Sequence, residues 1–224
     1  MCGIAGYLRL LKELPRVDAQ YLKAMQQAIA HRGPDGYGVW VAENGDTGLA
    51  HRRLSIIDTS TAGAQPMFDA ENTVAITFNG EIYNHAQLRA ELEQLGYVYR
   101  SNTDTETILY AYKAWGIACI NRFEGMFAFA LFDLIKDELY LVRDRIGIKP
   151  LYFTLYGNYF SFASEIKALL ALPWVQKKIN TQALSHYLTV LAAPAPLTMY
   201  DQIYKLPASF YAKINTKREL TFCK

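Results

Sequence analysis

The second residue of this chain is a cysteine followed directly by a glycine, Cys2-Gly3. The cysteine side chain is small enough for the preceding methionine to be removed, which would leave one residue carrying both a thiol and a free α-amine. In model compounds the amine titrates near ~8 and the thiol near ~8.5, so the amine can serve as general base close to neutral pH. One residue would then supply nucleophile and base, and Gly3 would let the backbone approach a substrate closely. Standing alone, a cysteine at position 2 is usually an ordinary residue, and Met1, present in the sequence as written, would block the amine. The other reactive side chains are equally ambiguous in isolation. Asn79-Gly80 reads as a type I′ turn, Arg53 as a surface strand residue, Glu81 as a turn carboxylate and Asp104 as a helix cap. His31, His51, His85 and His186 lack metal-ligand spacing and no cysteine joins them, so no metal site is expected.

The elements that would carry these residues are legible in the hydrophobic pattern. The chain begins almost inside a first strand that ends at Tyr7-Leu8. Leu22, Met25 and Ile29 then mark one face of a helix between Val17 and Ala30, with Asp18 as N-cap and Gly33-Pro34 as the stop. Strands are expected at Tyr37–Ala42, Gly48–Ile57 and Thr73–Phe78. Leu88, Leu92 and Leu95 give a second helical face closed by Gly96, and a third helix starts at Asp104 ahead of Ile108, Leu109, Tyr112 and Trp115. Met126–Phe132 is continuously apolar and short, which predicts a strand buried on both faces. Strands at Leu139–Arg143, Leu151–Leu155 and Tyr159–Ala163 follow, the last two joined at Gly157-Asn158. The pattern is that of sheets with helices packed outside them.

Bulk properties bound the function classes. At 224 residues and 51% hydrophobic, the chain suits one domain spanning 1–224. The net charge of +2 arises from interspersed acids and bases, which argues against nucleic acid or an anionic membrane as partner. The start lacks a secretory signal, and no apolar run approaches the ~18 residues of a membrane span. Three cysteines, Cys2, Cys119 and Cys223, at unrelated spacings suggest free thiols in a reducing cytoplasm. The proline-spaced stretch Ala192-Ala193-Pro194-Ala195-Pro196 reads as an extended loop within the domain.

Several motifs occur in a fixed order. They are Cys2-Gly3-Ile4-Ala5-Gly6, His31-Arg32-Gly33-Pro34-Asp35, His51-Arg52-Arg53-Leu54-Ser55-Ile56 and Asn79-Gly80-Glu81-Ile82-Tyr83-Asn84. Thr103-Asp104-Thr105-Glu106, the run from Phe123 to Ala130, the run from Arg143 to Tyr152 and Ala163-Ser164-Glu165 continue the series. Together they resemble the glutamine-hydrolysing half of asparagine synthetases, a class II glutamine amidotransferase.

That resemblance implies an α+β, N-terminal-nucleophile hydrolase fold, a four-layer αββα sandwich with two antiparallel sheets. It implies attack of the Cys2 sulfur on the side-chain amide of glutamine, release of ammonia, and hydrolysis of a thioester to glutamate. The Asn79 amide and the Gly80 N–H take the place of the oxyanion donors. Arg53 matches the arginine that binds the α-carboxylate, where a planar fork suits two parallel bonds. Leu54 and Ile56 of the same motif are expected beside the substrate, and Glu81 and Asp104 match the positions that hold the ammonium. Arg32 and Asp35 fall in a loop near the site, with a bracing role as the alternative, and the Arg143–Tyr152 motif looks structural.

No cofactor is expected in this domain. ATP and magnesium belong to a synthetase domain, marked by a Ser-Gly-Gly-x-Asp-Ser loop that this sequence lacks. Such a domain, in the same longer chain or a separate subunit, is the expected partner, and a homodimer is allowed. Two rivals remain: a sugar-phosphate or phosphoribosyl amidotransferase, and a non-catalytic docking module that has kept the fold. One departure from the family pattern is Leu206-Pro207-Ala208-Ser209-Phe210, where a Pro-Gly turn is usual.

Overall fold

A computed structural model describes residues 1–215 and 217–224. Strand β1 (Gly3–Arg9) leads into α1 (Ala19–Ala28), whose cap is Asp18, its carboxylate accepting the Gln20 N–H. Next come β2 (Gly36–Val41), β3 (Thr47–Arg53), β4 (Met67–Phe68), β5 (Val74–Ile82), α2 (His85–Gln94) and α3 (Asp104–Trp115). The chain continues through β6 (Gly125–Asp133), β7 (Glu138–Arg143), β8 (Tyr152–Tyr156), β9 (Tyr159–Ala163), α4 (Ile166–Leu169) and α5 (Thr181–Val190). Three short strands close it: β10 (Ile203–Lys205), β11 (Tyr211–Ile214) and β12 (Leu220–Cys223).

The strands form two six-stranded sheets, in the orders β10-β8-β9-β1-β3-β2 and β12-β11-β7-β6-β5-β4, with antiparallel neighbours throughout. Side chains on a strand alternate between faces, and the alternation sorts the buried residues into layers. On β6, Phe127, Phe129 and Leu131 pack with Ile108, Leu109, Leu88 and Leu92 of α3 and α2, while Ala128, Ala130 and Phe132 pack with Ile4, Leu8 and Leu49 of the other sheet. On β1 the other parity, Ala5 and Tyr7, packs with Leu22 and Met25 of α1 and Leu169 of α4. The order is therefore helices, sheet, sheet, helices, the four-layer α+β sandwich that the resemblance implies. Strand β6 is apolar on both faces because it lies between two cores.

Where the expectations failed, local hydrogen bonds had overridden the hydrophobic pattern. Strand β3 stops at Arg53 instead of Ile57. Residues 54–60 leave the sheet because Asp35 Oδ2 accepts the Ser55 N–H at 2.8 Å and Arg53 holds the carbonyls of Asp58 and Ser60. Strand β5 runs past Phe78 to Ile82, so Asn79-Gly80 lies inside a strand and is not a turn. The cap of α3 is Thr103, whose hydroxyl accepts the Glu106 N–H, and Asp104 is the first helical residue. Leu95 is 60% exposed because α2 ends before it and Gly96, at φ +93°, turns the chain away. Helix α5 was not foreseen, although Leu184, Tyr187 and Leu188 recur at helical spacing; that stripe faces no core, since of its residues only Ala183 is buried. Gly157 and Asn158, at φ +59° and +61°, form the expected turn between β8 and β9.

The segment 192–196 is followed by strands that join both sheets, β10 beside β8 and β11 beside β7. In the departure at Leu206–Phe210, Ser209 adopts φ +67°, the left-handed conformation a glycine would take without strain. Among the described residues no helix is long and apolar enough to cross a membrane.

Candidate active site

Strand periodicity brings the reactive residues to one place. Ile4, Leu49 and Ala75 face the gap between the sheets. Counting by twos along β1, β3 and β5 puts Cys2, His51, Arg53, Thr77, Asn79 and Glu81 on those same inner faces. At one end of the gap lies a cavity of about 150 Å³ whose wall includes Cys2, Arg53, Leu54, Ile56, Asn79, Gly80, Glu81 and Asp104. Residues more than one hundred positions apart in sequence thus line one small space.

Each sheet edge contributes a different kind of group. The β4 side of β5 is covered only at Met67–Phe68, so beyond Ile76 the backbone groups on that side need other partners. The Phe78 N–H donates to Gln65 Oε1 at 2.6 Å and its carbonyl accepts from His51 Nε2 at 3.1 Å. The Ile82 N–H donates to Asp104 Oδ2 at 2.9 Å. Groups two residues apart point the same way, so the intervening Gly80 N–H also points away from β6, on the side where the cavity lies. A Cβ at Gly80 would come within 2.4 Å of the Met126 carbonyl, which explains the glycine. Beside it, the Asn79 side chain is 1% exposed and its Nδ2 has no hydrogen-bond partner. A buried, unpaired amide costs ~1–3 kcal/mol, and such groups in a native protein call for an explanation.

Among the described residues the hydrogen bonds of the Cys2 sulfur go to backbone: it accepts the Leu54 N–H at 3.4 Å and donates to the Leu54 carbonyl at 3.6 Å. Burial raises the thiol above its usual range, more than the Leu54 N–H, the positive chain terminus and Arg53 lower it. The thiol is therefore not ionised in advance and needs a base when it reacts. His51 is not that base. Its Nε2 is taken by Phe78, and complete burial drives its pKa down to about 3, so it stays neutral and fixes the strand next to Asn79.

Around the thiol, charges hold the geometry. Arg32 donates from Nε to the Cys2 carbonyl at 2.8 Å and from Nη1 to Glu165 at 2.9 Å. Although burial opposes it, bonds from Arg32, Lys167 and His31 hold Glu165 down at about 2. Asp35 braces Ser55 rather than pairing with Arg32. Asp104 is buried, and burial raises its carboxyl to about 6 despite the Ile82 N–H. Above that pH it is a carboxylate facing the cavity, ready for a cation. Below it, the proton it takes up removes that attraction.

Gln65, Met126 and Lys149 are among the cavity residues that were not anticipated. Gln65 bridges Phe78 and Thr105, and Met126 lies beneath Gly80. Lys149 is only 4% exposed yet lines the cavity. It belongs to the Arg143–Tyr152 motif, which reads as structural, and a lysine's burial leaves no mark in sequence. Among the described residues no group of His, Cys, Asp or Glu is arranged to hold a metal ion.

Comparison with known proteins adds an independent line. The family model described as "Glutamine amidotransferase domain" matches residues 1–222. Asparagine synthetase [glutamine-hydrolyzing] 1 of Bacillus subtilis is 37% identical over 223 residues, covering 99% of this chain and 35% of that protein. Asparagine synthetase [glutamine-hydrolyzing] 3 of the same organism is 37% identical over 187 residues, 83% of this chain and 30% of that protein. The chain thus spans well under half the length of these relatives. Among solved structures, the B. subtilis glutamine phosphoribosylpyrophosphate amidotransferase complexed with ADP and GMP superposes with a TM-score of 0.72 at 19% identity, over 100% of this chain and 49% of that one. At that identity the likeness concerns the fold, which is that of the N-terminal-nucleophile hydrolases.

Proposed function

The chain belongs to the glutamine amidotransferase domain family, and from that membership we propose that it hydrolyses glutamine through Cys2 and supplies ammonia for asparagine synthesis by an ATP-dependent synthetase domain. The observation that carries this reading is the unpaired Asn79 Nδ2 at the wall that also holds the Cys2 thiol, with the Gly80 N–H on the same strand turned away from β6 toward that space. A buried donor left unpaired suits an oxygen that gains charge only during reaction.

With Met1 removed, the Cys2 α-amine takes the thiol proton as sulfur bonds to the side-chain carbonyl carbon of glutamine. The carbonyl electrons move onto oxygen, which Asn79 and Gly80 stabilise. Collapse of that intermediate breaks the C–N bond, and the protonated amine hands its proton to the departing ammonia. Water, deprotonated by the same amine, then opens the thioester and frees glutamate and the thiol. No metal or cofactor enters these steps; ATP and magnesium would act in the synthetase domain. A reducing cytoplasm is the proposed setting, since oxidation of Cys2 would stop the cycle.

Arg53 and Asp104 are assigned to the two ends of the amino-acid portion, the guanidinium to the carboxylate and the carboxylate, with Glu81, to the ammonium. Leu54 and Ile56 complete the wall around the side chain. Arg53 also holds the Asp58 and Ser60 carbonyls, so it shapes the loop it binds from. Arg53→Lys keeps the charge but loses the fork, and is expected to raise KM roughly tenfold or more with kcat little changed. Steady-state kinetics check this, and a fall in kcat at constant KM would reassign the residue.

The test of the whole reading combines intact mass with product analysis. Purified protein lacking Met1 should release glutamate and ammonia from glutamine, and an electrophilic glutamine analogue should label Cys2 rather than Cys119 or Cys223. With aspartate, ATP and magnesium added, the 224-residue chain alone should form no asparagine. Full activity with Met1 retained on every molecule would sink the mechanism, and absence of activity in processed protein would favour a docking module.

A further inference from the structure

Lys149 is held as few lysines are. Its N–H donates to Asp144 Oδ2 at 2.9 Å, and its carbonyl accepts from Arg143 Nε at 2.8 Å. The Asp144 carboxylate is fully buried, accepts the N–H groups of Phe127, Ile146, Ile148 and Lys149, and forms no ion pair with the Lys149 ammonium. Clamped in this way, Lys149 is 4% exposed and contributes to the cavity wall. The polar contact recorded for its ammonium is the thioether of Met1, at 3.1 Å. Among the described residues no carboxylate lies within salt-bridge reach of it. Processing removes Met1 and with it that contact, leaving the ammonium without a salt-bridge partner on the cavity wall that also holds Cys2.

We propose that Lys149 is a positioning residue acting through the Cys2 α-amine, its unneutralised charge keeping that amine unprotonated, and so basic, at neutral pH. The proposal rests on the reading of Cys2 as an N-terminal nucleophile. A like charge across the same small cavity disfavours the protonated form of an amine. The other cationic side chains near the terminus have partners of their own. Arg32, from the turn after α1, is neutralised by Glu165. Arg53, from β3, lies against the carbonyls of Asp58 and Ser60. On the negative side, Asp104 of α3 has one oxygen on Ile82, Glu81 of β5 is exposed to solvent, and Asp144 is saturated.

The two amines compete for one proton, and the outcome follows from their ordinary values. A lysine titrates near ~10.4 and an α-amine near ~8. Burial and Arg32 pull Lys149 down, whereas Asp144, Cys2 and Glu81 hold it up. The α-amine starts lower and yields first. Catalysis gains a base that is free near neutrality next to a thiol that burial keeps protonated.

The experiment compares wild type, Lys149→Met and Lys149→Arg, each verified by mass to lack Met1. The α-amine is titrated directly by NMR of protein labelled with ¹⁵N-cysteine, and glutamate release is followed across pH. The wild-type amine should titrate below ~8, Lys149→Met should raise it by about one unit, and Lys149→Arg should stay near wild type. Glutamate release by Lys149→Met should accordingly be about tenfold slower near pH 6.5 and equal to wild type near pH 9. A wild-type amine at or above ~8 overturns the proposal even if the methionine variant does not fold. So does an amine unmoved by Lys149→Met, or a rate loss equal at every pH. A titration that shifts as expected without any glutamate release would leave the charge effect standing and defeat the glutaminase reading instead.

Discussion

Replacing Cys2 by alanine is expected to take glutamine hydrolysis down by a factor on the order of 10⁶, the scale on which a covalent hydrolase loses activity when its nucleophile goes. The substitution is clean for structural reasons. Alanine is small enough for Met1 still to be removed, so the α-amine survives, and Asn79, Gly80, Arg53 and Asp104 are untouched. Among the described residues the hydrogen bonds of the sulfur are the two weak ones to Leu54, at 3.4 and 3.6 Å, so folding stability should change by less than about 1 kcal/mol. Glutamine should still bind, because both ends of its amino-acid portion meet other residues. The measurement is turnover by glutamate release beside glutamine affinity by calorimetry. Residual turnover within tenfold of wild type would show that another group attacks the amide.

Asn79→Ala is expected to lower kcat by ~10²–10³, the usual cost of one oxyanion donor, with KM nearly constant. Its effect on stability runs the other way from most buried substitutions. The Nδ2 amide is already without a partner, so deleting it removes a polar group whose burial is unfavourable, against which stands the small cavity left behind. The melting temperature should therefore hold or rise while activity collapses. A variant that loses both together would mark Asn79 as a structural residue. Because Arg53→Lys is expected to act on KM, the pair separates chemistry from binding at opposite ends of one substrate.

These expectations draw on different depths of information. The order of the motifs along the chain carried the resemblance to glutamine amidotransferases, the family to which the chain belongs, where no single residue type would have done so. A helix start near Asp104, the Gly157-Asn158 turn and the doubly apolar run of β6 were legible because helical periodicity, turn conformation and side-chain alternation act over a few residues. Reading Asp104 as the cap missed by one position, and extending β3 to Ile57 missed because Asp35 from the preceding loop and Arg53 at the strand's own end hold residues 54–60 off the sheet.

What the sequence determined, then, was the set of reactive side chains and the parity of each along its own strand. The tertiary structure decided which of them meet. Strand order sets β1 between β3 and β9 and leaves β5 with a short neighbour, β4, so that one stretch of its edge is free to offer the Gly80 N–H. Neither the freedom of that edge, nor the loneliness of the Asn79 amide, nor the buried ammonium of Lys149 is written in any local pattern. Each arises from desolvation and long-range pairing, and those depend on which distant segments pack together, a property of the assembled sheets and not of any short run of residues.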